Sequence, residues 1–197
     1  AYCTDRGFDA CVMAQQVLGG HGYVAEWGLE QNVRDARIAQ IYEGANGVQA
    51  LDLMGRKTVR ANGELLALLS EEMDAFVASQ AGVPAMQSYL VSLATCRRVL
   101  SDATLFVIDS AASNPEEIGA ASYAYMELMG LTLYCFMWQR ILAAALADKG
   151  GDNAEYLDGL VKVGEFFLAR QVPRVHSLLA EIEAGSESLM AMAANQF

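Results

Sequence analysis

Between Ile118 and Ala147 the chain is apolar or small at almost every position and charged only at Glu127 and Arg140. A segment like this must be hidden from water, and two folds can hide it. Roughly 20 apolar residues suffice to cross a bilayer, so a membrane span is one. The central helix of a soluble bundle is the other. A charge near the middle of a span costs about 2.5–3.5 kcal/mol on insertion scales, and Glu127 would be such a charge. The segment also opens as soluble helices do, with Asn114 as a cap, Pro115 at the first position and Glu116 and Glu117 in the first turn. We therefore read a central helix from Pro115 to about Asp148, buried by its neighbours, and no membrane span.

The other segments supply those neighbours. Apolar residues make up 54% of the chain and charged ones 19%, enough for a substantial core. Only Pro84, Pro115 and Pro173 interrupt a sequence rich in Ala, Leu, Met, Gln and Glu. Phe8, Cys11, Val12, Gln15, Gln16 and Leu18 follow helical spacing, and Gly19, Gly20 and Gly22 then stop that helix. A second helix is expected from about Gly28 to Ala39, a turn over Ile41 to Gly47, and a further helical pattern from Val48. Leu65, Leu66, Leu68, Leu69, Met73 and Phe76 form a stripe ending near Ala81 and Gly82. Pro84 opens the next helix, which runs to Ser113. After Lys149, Gly150 and Gly151, a last helix should run from Asp152 or Asn153 to about Ala184, kinked at Pro173. The tail from Gly185 should fray in part, with Leu189, Met190 and Met192 able to dock. The fold class expected is all-α, with four long helices in an antiparallel bundle.

A net charge of -11 excludes a nucleic-acid surface, which needs clustered Lys and Arg. Cys3, Cys11, Cys96 and Cys135 make no CxxC pair and read as buried free thiols of a cytoplasmic protein. With His21 and His176 the only histidines, no metal site is expected. The first residues lack the pattern of a signal peptide. A helix already in progress at Ala1, which is not Met, predicts a piece of a longer chain.

Chemistry concentrates between Gln15 and Gln49. Gly19, Gly20 and Gly22 form a glycine-rich turn that either caps a helix or lets a backbone approach a phosphate or carbonyl oxygen. Arg34 and Arg37 lie one helical turn apart, as on any solvated basic face. Glu43 sits between Tyr42 and Gly44 among small and apolar residues. It is either a loop acid or a carboxylate desolvated enough for general-base work.

The ordered set Gln16 to Tyr23, Arg34 to Ile38 and Ile41 to Gly44 resembles the carboxy-terminal signature of the acyl-CoA dehydrogenases. The continuation from Gln49 to Lys57, with its helical extension, looks most like the larger subfamily that includes 3-methylmercaptopropionyl-CoA dehydrogenase. The resemblance implies that residues 1–60 complete a helical flavin-binding domain and that 61–197 form a bundle-like extension. It implies FAD as cofactor, an acyl-CoA substrate, an electron-transfer flavoprotein as acceptor and a homodimer or larger assembly. Glu43 matches the base that removes the α-proton, and Gly44 matches the position that leaves room for the thioester. Gln16, Gly19 and Gly20 match residues that meet the FAD of a neighbouring subunit, while Ala45, Asn46 and Gly47 match the stretch against the flavin after the base. Ala45 departs from the pattern, which usually has Thr there. Tyr42 stands between lining the substrate pocket and packing, and Trp27 is expected to pack between helices. The aromatic and methionine positions from Tyr123 to Trp138 are expected to be core. The chain alone should be inactive. The competing reading is a non-catalytic helical interaction module.

Overall fold

The computed structural model describes residues 1–148 and 153–196. Among these every regular element is helical. In chain order they are α1 (Tyr2–Val17), the single turn α2 (Gly20–Tyr23), α3 (Leu29–Ile38), α4 (Asn46–Leu51), α5 (Glu64–Gln80), α6 (Gln87–Ser113), α7 (Glu116–Ala147), α8 (Ala154–Arg170), α9 (Val175–Glu183) and the short α10 (Glu187–Met190). The expected break at Lys149–Gly150–Gly151 lies outside the described residues.

α7 is the axis of the fold. Asn114 starts it as its sequence suggests: the side-chain oxygen accepts a hydrogen bond from the Glu116 N–H at 3.2 Å. α6 and α7 are antiparallel, because Gln139 donates to the Tyr89 carbonyl (2.8 Å) while Tyr125 meets Thr104 (2.7 Å) nearer the connection. The Thr104 hydroxyl gives its own proton to the Leu100 carbonyl, so Tyr125 is the donor. On another side Trp138 packs on Phe167, Arg174 reaches Glu127, and Ser186 bonds Glu117. These contacts follow α8 and α9 down the length of α7 in the opposite direction. α1 crosses a further side: Tyr2 packs against Gly130, and Arg6 pairs with Glu127 at 2.9 Å. α7 is the one helix among the described residues with the length and composition to cross a membrane, yet half of its most apolar stretch is buried within the fold. Tyr125, Leu128, Leu131, Cys135, Phe136 and Leu142 are fully enclosed or nearly so. Tyr123 and Met137 of the expected aromatic core are instead exposed.

Glu127 now has partners. Arg6 and Arg174 hold its two oxygens at 2.9 and 3.4 Å, so the mid-helix charge is neutralised by α1 and the residue before α9.

Several expectations need correction. Helical structure does continue past α4, but over Asp52–Val59 it widens into a π-helix. Arg60 N–H donates to Gly55 O and Gly63 N–H to Thr58 O, each five residues back, and the Thr58 hydroxyl caps Leu53 O at 2.9 Å. Asn62 and Gly63 then take left-handed φ values of 48° and 75°, and the chain turns into α5. Pro173 ends a helix and does not merely bend one. α8 stops at Arg170, a 3-10 turn covers Val172–Arg174, and α9 begins afresh, because proline has no N–H for the α-helical ladder. Cys96 and Cys135 are buried free thiols, but Cys3 is exposed and Cys11 half-buried, since α1 is covered on one side only. Hydrogen bonding to Cys135 and burial push the Cys96 thiol up. In the tail Ser186 is buried against Asn114 and Glu117, whereas Leu189, Met190 and Met192 stay more than half exposed.

The core runs unbroken from Met54 through Met73 and Leu93 to Ile182, so residues before and after position 60 share one interior.

Candidate functional site

The turn between α3 and α4 carries the residues of interest. α3 ends at Ile38, and the Asn46 N–H donates to the Gln40 carbonyl at 3.1 Å, closing the chain from 40 to 46 into a loop. Glu43 stands at its centre with φ 54°, a left-handed conformation that costs a non-glycine residue roughly 1–2 kcal/mol. Gly44 follows with φ 90°, and a Cβ there would lie 2.8 Å from Gln49 Nε2. That same amide donates to the Glu43 carbonyl at 3.3 Å. Gly44 is therefore required by its backbone angle, while the exposed Gln49 side chain could swing aside.

Asp5 holds this loop in place. It is 4% exposed, in a helix whose other acidic residue, Asp9, is far more open. One carboxylate oxygen accepts from Gln40 Nε2 at 2.6 Å and from Asn46 Nδ2 at 2.7 Å, the two residues that close the loop. The other accepts from the Tyr123 hydroxyl on α7. Burial alone would raise the Asp5 pKa. The hydrogen bonds from Tyr123, Gln40 and Asn46, with the Arg6 charge, outweigh it and hold the carboxyl below the usual range. Burial, and then the bond to Asp5, push the Tyr123 phenol up to about 12. Nothing in the spacing of residues 1–10 singles out Asp5, and the sequence reading missed it.

Asn46 turns its side chain inward. It is 7% exposed and donates to Asp5, Thr4 (2.9 Å) and the Ala1 carbonyl (3.2 Å), so its amide ties α4 to α1. Ala45 is the residue before α4, with no side-chain cap. Its carbonyl accepts from Val48 (2.8 Å) and Gln49 (3.1 Å).

Glu43, Tyr42, Gly44, Ala45 and Gly47 are all exposed. Of the two readings left open for Glu43, the described residues give the exposed loop acid, because none of them buries it. Trp27, expected between helices, is 56% exposed and pairs edge-to-face with His21, ring centroids 5.2 Å apart. The 3-10 turn Ala25–Trp27 meets α2 and α3 but buries none of its residues.

Gln16, Gly19 and Gly20 are also exposed, but at the other end of α1. Asp5 and Gln16 lie 11 residues apart on that helix, roughly 15–20 Å at its rise per residue. The structure thus gathers Glu43, Gly44, Ala45 and Asn46 into one loop and leaves the glycine turn apart from it. Gly19 has φ 56° with open space around a notional Cβ. Gly22 is fixed by packing, since a Cβ would fall 2.2 Å from the Gln15 carbonyl oxygen.

Two family models match. Residues 1–57 match the acyl-CoA dehydrogenase C-terminal domain, and residues 69–193 match a domain described as acetyl-CoA dehydrogenase C-terminal like. The chain belongs to the acyl-CoA dehydrogenase family. It is 33% identical to 3-methylmercaptopropionyl-CoA dehydrogenase of Ruegeria pomeroyi over 87% of the chain and 29% of that protein. It is 30% identical to the broad-specificity linear acyl-CoA dehydrogenase FadE5 of Mycobacterium tuberculosis over 95% of the chain and 32% of that protein. Butyryl-CoA dehydrogenase of Syntrophomonas wolfei is 25% identical over the whole chain and 33% of its own length. The chain spans about a third of the length of these relatives. The dehydrogenase signature read in the sequence thus falls within the first matched domain, and the extension falls largely within the second.

Proposed function

We propose that these residues serve an FAD-dependent acyl-CoA dehydrogenase in which Glu43 is the catalytic base. The observation that carries the reading is the backbone of Glu43. A carboxylate is held in a left-handed conformation, at the centre of a loop clamped at both ends, where a glycine would sit without strain. Strain kept at a defined point, and supported by surrounding bonds, marks residues that act. Glu43 takes the proton from the carbon next to the thioester carbonyl, and its main-chain N–H helps to polarise that carbonyl, which stabilises the developing negative charge. The open side of Gly44 leaves the thioester room beside the base. FAD, when bound, supplies the acceptor for the hydride that leaves the β-carbon, so the product is a trans-2-enoyl-CoA.

The residues present fit such a cofactor in part. Gly19 and Gly20 offer unobstructed backbone, and Gln16 is free beside them. Gly47 and the uncapped start of α4 at Ala45 lie open next to the base. The Asn46 amide is spent on Asp5 and Thr4, so it contributes through position and not through its side chain. The distance between the glycine turn and Glu43 supports an assembly of two or more copies, in which each serves its neighbour's cofactor. An electron-transfer flavoprotein as acceptor and a cytoplasmic location complete the reading, the latter supported by the free thiols of Cys96 and Cys135. The exposure of Glu43 supports a need for further domains to enclose it, so the chain by itself should not oxidise acyl-CoA.

The test uses the full-length protein, wild type beside Glu43→Gln, mixed anaerobically with a panel of acyl-CoA thioesters. Bleaching of the flavin absorption in the wild type, and its loss in a variant that keeps FAD, is the expected result. A protein without flavin, or one that stays yellow across the panel, would move the reading to a non-catalytic interaction module.

A further inference from the structure

We propose that Asp5 is a positioning residue for Glu43, and that the extension reaches the base through Tyr123 on α7. This rests on the assignment of Glu43 as the base.

Both ends of the catalytic loop hang on a single oxygen. Gln40 and Asn46, three residues to either side of Glu43, donate to Asp5 Oδ1 at 2.6 and 2.7 Å. They are also bonded to each other through Asn46 N–H and Gln40 O at 3.1 Å. The loop is thus a closed ring, and among the described residues Asp5 is the one outside it that holds both ends, Asn46 reaching Thr4 and the Ala1 carbonyl as well. Tyr123 fixes Asp5 from the other side through Oδ2. The next residue of α1, Arg6, is held by Glu127, which also binds Arg174. The chain of contacts runs from Arg174 and α7, through α1, to the two shoulders of Glu43.

The carboxylate is needed for its geometry. It offers acceptors on both oxygens and no donor, and three donors point at it. A neutral amide of the same size would either turn its N–H₂ toward Gln40 and Asn46 and release the loop, or turn it toward Tyr123 and reverse that bond. In both cases the charge that strengthens the three bonds is lost. A general base works only within about 2.6–3.2 Å of the proton it takes, and a misplacement of about 1 Å can cost on the order of a hundredfold in rate. Tyr123 belongs to the segment after residue 60, so the extension takes part in holding the base and is more than an appendage.

The experiment uses the full-length flavoprotein with Glu43→Gln, Asp5→Asn, Tyr123→Phe and Tyr89→Phe. Tyr89 is a control in the same bundle: its hydroxyl donates to Glu165 at 2.7 Å, between α6 and α8, and touches nothing near the loop. The readouts are the rate of flavin bleaching at saturating acyl-CoA, the concentration giving half that rate, and FAD content. Asp5→Asn and Tyr123→Phe should slow the saturated rate by about tenfold or more, with bound FAD and the half-saturating concentration near wild type and Tyr89→Phe unaffected. Should Asp5→Asn fail to hold FAD, Tyr123→Phe decides alone. Wild-type rates in both, a matching loss in Tyr89→Phe, or lost flavin in Tyr123→Phe would overturn the proposal. Glu43→Gln separates the two ideas. If it is inactive while the Asp5 and Tyr123 variants react normally, only the positioning role fails. If it reacts like wild type, the base assignment itself is wrong.

Discussion

Gly130→Ala should destabilise the chain, although alanine is the better helix former. Gly130 lies inside α7, where replacing glycine by alanine ordinarily gains about 1 kcal/mol. Here an added Cβ would fall 2.2 Å from Cγ of Tyr2 and 2.7 Å from its Cβ. Those are atoms at the root of the ring, so a small rotation cannot clear them. Tyr2 would have to leave its edge-on contact with Tyr134 (centroids 5.1 Å apart) and its place beneath the Arg6 guanidinium (5.5 Å). Overpacking a filled interface costs roughly 1–3 kcal/mol, the aromatic pair about 0.5–1.5 kcal/mol, and the cation–π contact about 0.5–1 kcal/mol. Set against the propensity gain, the net loss is about 1–4.5 kcal/mol. Urea unfolding of the chain, followed by circular dichroism, should show a lower midpoint at unchanged slope. The same substitution in a Tyr2→Gly background meets neither ring nor Cβ and should raise the midpoint by about 1 kcal/mol equivalent. The change of sign is the test. If Gly130→Ala shifts stability in the same direction in both backgrounds, Tyr2 is not what makes glycine necessary.

Three further outcomes follow from the loop and its anchors, and a fourth from the contact between α6 and α8. Ala45→Thr places a hydroxyl at the uncapped start of α4 and should add about 0.5–2 kcal/mol of stability; in the full-length protein, fluorescence titration should also find FAD held at least as tightly. Glu43→Gly removes the left-handed strain of roughly 1–2 kcal/mol, which offsets the entropy that glycine costs, so thermal melting should show an unchanged or higher midpoint even though activity is lost. In pH titrations of stability, Asp5 has a folded pKa below its unfolded one, so its contribution is present above the unfolded value near pH 3.8 and fades as pH falls through the folded value. Asp5→Asn should therefore flatten the acid limb. Tyr89, whose phenol is pushed up to about 12 chiefly by its bond to Glu165, contributes fully below pH 10 and loses that contribution between pH 10 and about 12. Tyr89→Phe should flatten the alkaline limb, and an unaltered alkaline limb would count against the Tyr89–Glu165 bond.

Local signals in the chain determined most of the fold. The Asn114–Pro115–Glu116–Glu117 start, the apolar run after it, the glycines at 19–22 and the proline at 84 each act within a few residues, so the all-helical class and the main helix boundaries were readable before any contact was known, though not the π-helix over Asp52–Val59. The dehydrogenase signature from Gln16 to Gly44 was readable for the same reason, being one ordered stretch. Tertiary structure alone decided the rest. Asp5 looks like any helix acid until α7 brings Tyr123 to it and the loop brings Gln40 and Asn46, contacts spanning 118, 35 and 41 residues. Whether Glu43 and Trp27 were covered depended on what lies over the loop and the 3-10 turn, which no neighbouring residue reveals. Pro173 could bend a helix or end it, and packing along α7 chose two helices. Residue type and spacing set which backbone forms at each place. Burial, charge pairing and the aim of a side chain are properties of distant segments meeting, and they exist only once the chain has folded.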